Sequence, residues 1–278
     1  MTEITNEKEK YKIYNDPAHP LLAEFMAKCK GSYKHCQDVA YLAESVGRKL
    51  NLNVELIKCA AFYHDIGKII NPEFFSENQS GLNIHDDLKP IVSYHIISRH
   101  VADSVSILVE NDFPIDMIKL VQQHHGSSLV RHFYLLAVKA EETLPEEKRD
   151  PFMEIKYRYK HKAPQTVESA VLMICDNIEA TAKALRADGK LVSDEQKKIL
   201  IKTTIDRLKE DIQLDILTVG QERIIIETLL DVLNSIYHSR TLYADQVGDY
   251  SDDQSEVPPP AKQTKKSKAS PKPEDKID

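Results

Sequence analysis

The 278-residue chain lacks the features that mark membrane, exported or β-rich proteins. No apolar run approaches the roughly 18 residues needed to span a bilayer, and the N-terminus has no apolar signal-peptide core. Only 8 residues are glycine, and strand-like alternation is scarce. The four cysteines form no CxxC pair and are predicted to be reduced thiols. We therefore expect a soluble, cytoplasmic protein with no membrane span.

A net charge of −7 argues against binding of nucleic acid polymers. An acidic protein can still bind a phosphate-bearing ligand when metal ions supply the positive charge. Eight of the eleven histidines lie between His35 and His132, which places the expected chemistry in the first half of the chain. Cys36, beside His35, is a candidate soft ligand, but the harder donors around it argue against that role.

Apolar residues recur at helical spacing through most of the chain, which predicts an all-α fold. The pattern predicts helices over residues 21–30, 32–50, 54–66, 90–110, 114–125, 127–142, 166–185, 193–213 and 220–240. Ser193 and Gln196 are predicted to form a capping box. The segment 141–164 is predicted to be an irregular connection.

The composition predicts three regions along the chain. Residues 1–20 read as a polar lead-in and residues 21–245 as one domain. Residues 246–278 are acidic and then Pro- and Lys-rich, with little to bury, so we predict that this tail is disordered.

Seven ionisable residues lie on otherwise apolar helix faces or at helix ends: His35, His64, Asp65, His100, His124, His125 and Asp176. Each alone has an ordinary interpretation as a core or capping residue. Burying five imidazoles and two carboxylates together is costly unless they are paired or bound to metal. One metal centre explains all seven at once.

The number of donors favours two metal ions. Seven side chains are too many for a tetrahedral zinc site, whereas two octahedral ions offer roughly twelve positions. A bridging Asp65 would fill two positions and the other six residues one each, leaving room for a bridging hydroxide and substrate oxygens. The adjacent His64 and Asp65 point about 100° apart on a helix, so the pair can address both ions. Imidazole with carboxylate suits iron or manganese, with zinc, nickel and cobalt as alternatives.

Two such ions would lower the pKa of a bridging water and clamp a phosphoryl group. Lys68 follows Asp65 by three residues and could neutralise a phosphate oxygen. The alternative is a solvated lysine that interacts with the helix C-terminus.

Together these residues resemble the HD superfamily of metal-dependent phosphohydrolases. The closer resemblance is to the cytoplasmic catalytic domain of seven-transmembrane HD receptors, which are cyclic di-AMP phosphodiesterases. It covers about residues 14–240 and is carried by "DPAHPLL" (16–22), "GSYKHCQDVAYLAE" (31–44), "FYHDIGK" (62–68), "PEFFSENQ" (72–79), "HDDLKP" (85–90), "QQHHGSSLVRHFY" (122–134) and "PQTVESAVLMICDNIEA" (164–180).

The resemblance implies an HD-domain helical bundle around a di-metal centre, with hydrolysis of cyclic di-AMP to linear pApA. It implies that one metal ion would be held by His35, His64, Asp65 and Asp176, and the other by Asp65, His100, His124 and His125. Asp65 and Lys68 are the candidate catalytic residues. Lys68, Ser127 and Arg131 are the candidate substrate contacts, with a surface salt bridge as the alternative for Arg131. The expected partner is the cyclic dinucleotide, and the sequence leaves formation of a homo-oligomer open.

The chain departs from the family pattern in several places. The membrane-spanning and extracellular parts of those receptors are absent, so we expect a free-standing enzyme or an isolated domain. Ser104 stands where the family usually has glycine, and "YKHKAPQT" replaces a Gly-Pro segment. The "GYP" element of cyclic di-GMP-cleaving relatives is missing after "HHG", which favours adenine.

The "FFSENQ" motif has a structural interpretation as well as a functional one. Phe74 and Phe75 are expected to pack the loop on the core. Asn78 and Gln79 would then order the backbone and not the ligand.

Two alternative functions remain open at this point. Another HD enzyme, either a nucleotide phosphohydrolase or a di-iron oxygenase, would use similar ligands. A non-catalytic nucleotide-binding regulator with a vestigial site is the second alternative, but a vestigial site should have lost ligands, and the set of seven is complete.

Overall fold

The structure is a computed structural model that describes residues 10–79 and 81–247, with side chains as far as residue 236. Its α-helices, in chain order, are α1 (Pro20–Lys28), α2 (Lys30–Lys49), α3 (Val54–Tyr63), α4 (Pro90–Glu110), α5 (Ile115–Gln123), α6 (Arg131–Glu141), α7 (Met153–Lys156), α8 (Val167–Ala187), α9 (Asp194–Glu210) and α10 (Val219–Val247). Short 3-10 turns fill the segment between α3 and α4, at Ile66–Ile70, Pro72–Phe74, Ser76–Asn78 and Ile84–Asp87. The prediction of an all-α fold is confirmed.

Local sequence explains where several helices begin. The Asn53 side chain accepts a hydrogen bond from the Leu56 amide at 3.2 Å and so caps α3. The predicted capping box of Ser193 and Gln196 is present at the start of α9. These contacts satisfy backbone N–H groups that have no partner inside the helix.

Helix α8 is the centre of the bundle. Residues 170–175 are all fully buried, as expected for a helix that is apolar on every side. The helix packs against α2, α3, α5 and α9. Because Asp176 follows directly after this apolar run, its carboxylate is drawn into the interior together with the helix.

Part of the predicted polar lead-in packs on the domain. Tyr11 is 1% exposed and belongs to the main hydrophobic core. Its hydroxyl donates a short hydrogen bond to Asp116, which also forms an ion pair with Lys10. The ring of Tyr14 packs against the ring of Phe113 at a tilt of 37°, with 4.3 Å between ring centroids. The ordered fold therefore reaches back at least to Lys10.

The connection predicted as irregular over residues 141–164 is ordered at its end. Residues 157–161 run beside residues 126–130, where the Val130 amide donates to Tyr157 O at 2.9 Å and the Tyr159 amide to Ser128 O at 3.0 Å. This pairing explains why α6 begins at Arg131 and not at the predicted residue 127. It also places the ring of Tyr159 in the interior.

By its internal contacts the chain divides into two compact units, residues 1–237 and 238–278. The first contains every candidate site residue. Of the second, the structure describes only the helical backbone of residues 238–247. The predicted disordered tail lies outside the described residues from residue 248 onward. Within the described ranges, no helix is both long and apolar enough to cross a membrane.

Candidate metal centre

The seven predicted ligands come from five separate parts of the chain and meet at one place. His35 lies on α2, His100 on α4 and Asp176 on α8. The other four stand at helix ends, where the backbone turns away: His64 and Asp65 after α3, and His124 and His125 after α5. Six of the seven are buried, and the His125 side chain is 22% exposed.

The first group consists of His35, His64 and Asp176, whose candidate ligand atoms all lie within 4.8 Å of one another. Asp176 Oδ1 is 3.0 Å from His35 Nε2 and 3.7 Å from His64 Nε2. This is the geometry in which three donors could surround one ion.

The second group consists of His100, His124 and His125, which meet the same distance criterion. The Nε2 atoms of His100 and His124 are 3.2 Å apart. The rings of His124 and His125 lie close together, with 4.0 Å between their centroids.

Asp65 stands between the two groups and presents one carboxylate oxygen to each. Its Oδ2 atom is 3.5 Å from His64 Nε2 in the first group. Its Oδ1 atom is 3.2 Å from His100 Nε2 and 4.0 Å from His124 Nε2 in the second. Asp65 therefore lies between the two groups of donors. The assignment of these residues to two metal ions stays a prediction.

The backbone sets the tautomer of three of these imidazoles. The Nδ1 atoms of His64, His100 and His124 lie 2.6–2.8 Å from the carbonyl oxygen three residues earlier in the chain. A carbonyl oxygen can only accept, so each Nδ1 carries a proton and each ring turns its Nε2 atom toward the cluster.

This tautomer leaves lone pairs without partners. The lone pairs of His100 and His124 face each other across 3.2 Å. The Nε2 atom of His64 is buried and has no hydrogen-bond partner. Burying such acceptors unpaired costs about 1–3 kcal/mol each, and a divalent cation would satisfy them together. On this test the donor set fits a metal centre.

Electrostatics favour positive charge at the cluster. Burial opposes ionisation of Asp65, but Lys68 and the nearby imidazoles outweigh it and hold the pKa of this carboxyl well below its usual range. Burial likewise opposes a charged His64, but Cys36 and Asp65 outweigh it and raise its pKa. The first group therefore attracts a positive charge, whether a proton or a metal ion supplies it.

In the second group, burial dominates and keeps the imidazoles neutral. It lowers the pKa of His100, and it lowers the pKa of His125 to about 3. For His124, burial and the neighbouring His125 together hold the pKa well below the usual range. Neutral imidazole is the form that binds metal.

A carboxylate behind His35 was missed by the sequence analysis. The Nδ1 atom of His35 donates a short hydrogen bond to Glu179 Oε2, and both side chains are buried. Burial lowers the pKa of His35, but its hydrogen bonds to Asp176 and Glu179 outweigh that effect and raise it to about 10. Glu179 follows Asp176 by three residues on α8, and this helical spacing was a signal that could have found it.

Lys68 joins the centre to the loop that follows it. Its Nζ atom is 2.7 Å from Asp65 Oδ2 and 2.6 Å from Glu77 Oε1, and it lies over the ring of Phe75. Burial disfavours its charge, but the two carboxylates outweigh burial and raise its pKa. The lysine side chain is only 12% exposed and is charged, and it is not the solvated helix-end residue of the alternative interpretation. Glu77 was not predicted, because a 3-10 turn has no apolar periodicity to reveal it.

The loop containing "FFSENQ" is held largely as its structural interpretation predicts, except that Phe74 is only partly buried. Phe75 is buried, and Asn78 Oδ1 accepts from the amides of Gly31 and Ser32 at 3.0 and 3.1 Å. Asn78 therefore caps the start of α2 from outside the helix. Gln79 donates to Glu73 O at 2.9 Å, so both residues order backbone.

Ser104, the departure from the family pattern, supports the backbone of the "HDIGK" motif. Its hydroxyl donates to His64 O at 2.9 Å and accepts from the Gly67 amide at 2.8 Å. Gly67 allows this close approach, since a Cβ atom there would lie 2.2 Å from His100 O. The hydroxyl thereby joins α4 to the turn that carries His64.

The sulfur of Cys36 lies beside Nδ1 of His64, which is the ring nitrogen that faces away from the cluster. The two atoms are 3.6 Å apart, and this Nδ1 already donates to Ala61 O. Cys36 could still be grouped by distance with His64 and Asp65, but the lone pair of His64 points elsewhere. All four cysteines are free and buried.

A cavity of about 600 Å³ opens onto the cluster. Its inner end is lined by His35, Asp65, Lys68, His125 and Asp176, and its wall by residues of α8 together with Ser76, Glu77 and Arg207. Tyr159 stacks on the ring of His125, with 4.4 Å between centroids.

Two predicted substrate contacts lie away from this cavity. Ser127 exchanges hydrogen bonds with Gln213, which contacts its amide at 3.1 Å and its hydroxyl at 2.9 Å. Arg131 is exposed at the first position of α6. Neither residue lines the cavity, so their contact with substrate stays a prediction that this geometry does not support.

Comparison with known proteins points to one family. A family model described as "HD domain" matches residues 32–181. The cyclic-di-AMP phosphodiesterase PgpH of Listeria monocytogenes serotype 1/2a is 39% identical over 237 residues, which cover 83% of this chain and 31% of that protein. PgpH of Bacillus subtilis is 33% identical over 232 residues, covering 82% of this chain and 31% of the relative. The chain thus spans about a third of the length of these relatives.

Solved structures agree with the sequence comparison. The crystal structure of the L. monocytogenes phosphodiesterase PgpH HD domain in complex with cyclic-di-AMP is similar, with a TM-score of 0.71 and 38% identity. The match covers 79% of this chain and 98% of that one.

Proposed function

This chain belongs to the HD domain family, and from that premise we propose that it is a metal-dependent phosphodiesterase that hydrolyses cyclic di-AMP to linear pApA. The observation that carries the proposal is Asp65, whose two carboxylate oxygens face two separate groups of donors. Two ions held a few Å apart are the arrangement that enzymes use to cleave phosphodiesters. The similarity to PgpH, whose HD domain has been crystallised with cyclic-di-AMP, supplies the substrate.

The proposed centre holds two divalent ions. His35, His64 and Asp176 would hold one and His100, His124 and His125 the other, with Asp65 shared. Iron or manganese suits these mixed nitrogen and oxygen donors best. When bound, such ions supply an activated hydroxide and neutralise charge that develops on the phosphate.

The chain's own residues would position the substrate and neutralise its charge. Lys68 is charged and lines the cavity beside Asp65, so it can donate to a non-bridging phosphate oxygen. Glu77 holds the same ammonium group from the other side and fixes its position. Attack by the oxygen of water on phosphorus breaks the bond to one 3′-oxygen, which leaves with a proton. The product then carries one 5′-phosphate and one free 3′-hydroxyl.

The test uses purified protein that has been loaded with manganese or ferrous iron. It is assayed in parallel on cyclic di-AMP, cyclic di-GMP and linear pApA. We expect selective conversion of cyclic di-AMP to pApA. His64→Ala and Asp65→Ala should each lose metal and activity, whereas His132→Ala, an exposed histidine outside the cluster, should retain both. Two bound metal ions without turnover of any dinucleotide would contradict the proposed substrate and direct attention to other nucleotides and to oxygen chemistry.

Further expectations from the sequence stay predictions. They are the cytoplasmic location, formation of a homo-oligomer and the domain boundaries at residues 21 and 245.

A further inference from the structure

We infer that Lys183 and Arg207, which line the same cavity as the donor cluster, form a second phosphate subsite, where they would bind the phosphodiester that is not being cleaved. The inference rests on the proposed function, because it assumes a substrate with two phosphates. It goes further by naming residues that would distinguish a dinucleotide from a simple phosphodiester.

The cavity follows one side of helix α8. From Asp176 at the metal end, the wall continues along α8 through Ala180 to Lys183 and Ala187. Asp176 and Lys183 are seven residues apart, which is about two helical turns and an axial rise of about 10 Å, so they share one face. Side chains on a helix lean toward its N-terminus, so the long Lys183 side chain leans back along the cavity toward the metal end.

Two of the α8 residues that line the cavity near Lys183 are small. Ala180 precedes Lys183 and Ala184 follows it, and neither carries a bulky side chain. A second cavity, of about 370 Å³, is also lined by Thr181 and Arg207, so Arg207 stands where the two cavities adjoin.

The charges in the cavity leave these two cations available. Its acidic side chains already have partners, since Asp65 and Glu77 pair with Lys68, and Glu179 contacts His35. In the described part of the chain, neither Lys183 nor Arg207 forms an ion pair. Because the whole chain carries a net charge of −7, positive groups beside the entrance matter for holding an anion.

Arg207 is oriented from the metal end of α8. Asn177, the neighbour of Asp176, donates through Nδ2 to Met173 O at 2.9 Å. This turns its Oδ1 atom outward, where it accepts from Arg207 Nη2 at 3.1 Å. That bond uses one of the five N–H donors of a guanidinium group. The others remain for a phosphate, which a guanidinium can bind through two parallel hydrogen bonds.

The experiment compares a substrate with two phosphates with a substrate that has one. Wild type, Lys183→Ala, Arg207→Ala and the double variant would be assayed on cyclic di-AMP and on bis(p-nitrophenyl) phosphate. Lys202→Ala is the matched control, because Lys202 is exposed on α9 and lines neither cavity. We expect KM for cyclic di-AMP to rise about 10-fold or more in each single variant, since each loses a charge-assisted contact. Turnover of bis(p-nitrophenyl) phosphate should match wild type.

Two results would overturn the subsite. One is an unchanged KM for cyclic di-AMP in the double variant. The other is an equal loss on both substrates, which would mean that the residues act on the metal centre or the fold. If wild type cleaves only the simple diester, the proposed function fails, and calorimetric binding of cyclic di-AMP decides the subsite independently. Weaker binding in the double variant than in wild type would then support it, and equal or absent binding would reject it.

Discussion

Glu179 offers a direct test of how the metal centre is assembled. Its carboxylate accepts the Nδ1 proton of His35, whereas His64, His100 and His124 donate theirs to neutral backbone carbonyls. A charged hydrogen-bond acceptor at Nδ1 makes the opposite ring nitrogen, Nε2, a stronger ligand for a metal ion. We therefore expect Glu179→Gln, which keeps an acceptor oxygen but removes the charge, to weaken metal binding at the His35 group. Removing such a partner typically costs 10–100-fold in metal affinity, or about 1.4–2.7 kcal/mol.

The assay is calorimetric titration of metal-stripped protein with Mn²⁺. Wild type should bind two ions, and Glu179→Gln should weaken one while leaving the other unchanged. Glu179→Ala should weaken the same ion further because the acceptor is lost as well. Glu168→Gln, on the same helix but away from the cavity, is the control. If Glu179→Gln binds both ions with wild-type affinity, the reasoning is refuted. If the affinity for both ions falls equally and the Tm of the metal-free protein is also lower, Glu179 acts in folding alone.

Three further predictions concern stability. Ser104→Ala removes the hydroxyl between His64 O and the Gly67 amide, so it should lower the free energy of unfolding, measured in urea, by about 1–3 kcal/mol. The control Ser106→Ala, at an exposed position, should change this free energy by less than about 0.5 kcal/mol. Equal effects of the two substitutions would contradict the role of the Ser104 hydroxyl. Asn78→Ala should cost about 1 kcal/mol because α2 loses its cap, and an unchanged urea midpoint would argue against that cap. Mn²⁺ at 100 times its Kd should stabilise the metal-free protein by about 2.7 kcal/mol per site, so an unchanged Tm on adding metal would speak against the centre.

The predicted ligands could be found from sequence because each breaks a pattern. His35 and Asp176 interrupt apolar helix faces, and the pairs at residues 64–65 and 124–125 stand where helices end. Such interruptions are visible without any tertiary information. The residues that support the candidate ligands could not be found in this way. Glu77 lies in a 3-10 turn, and Ser104 acts only through the close approach of α4 to Gly67.

The sequence predicted which segments are helical better than it predicted where each helix ends, because contacts outside a helix determine where it ends. α3 was predicted to reach residue 66 but ends at Tyr63, since the chain tightens into a 3-10 turn at Ile66. α9 was predicted to reach residue 213 but ends at Glu210, and Ile212 adopts a positive φ of 56°. Arg207 could not be identified from the sequence either. It is an exposed arginine on an amphipathic helix, and it reaches the cavity only because α9 packs on α8.

The match to the HD domain model ends inside helix α8, at residue 181. All seven candidate ligands fall within the segment that the family model matches, residues 32–181, whereas Lys183 and Arg207 lie beyond it. A protein can therefore match this family model without carrying the two cations, so a match to the family does not by itself predict the second phosphate subsite.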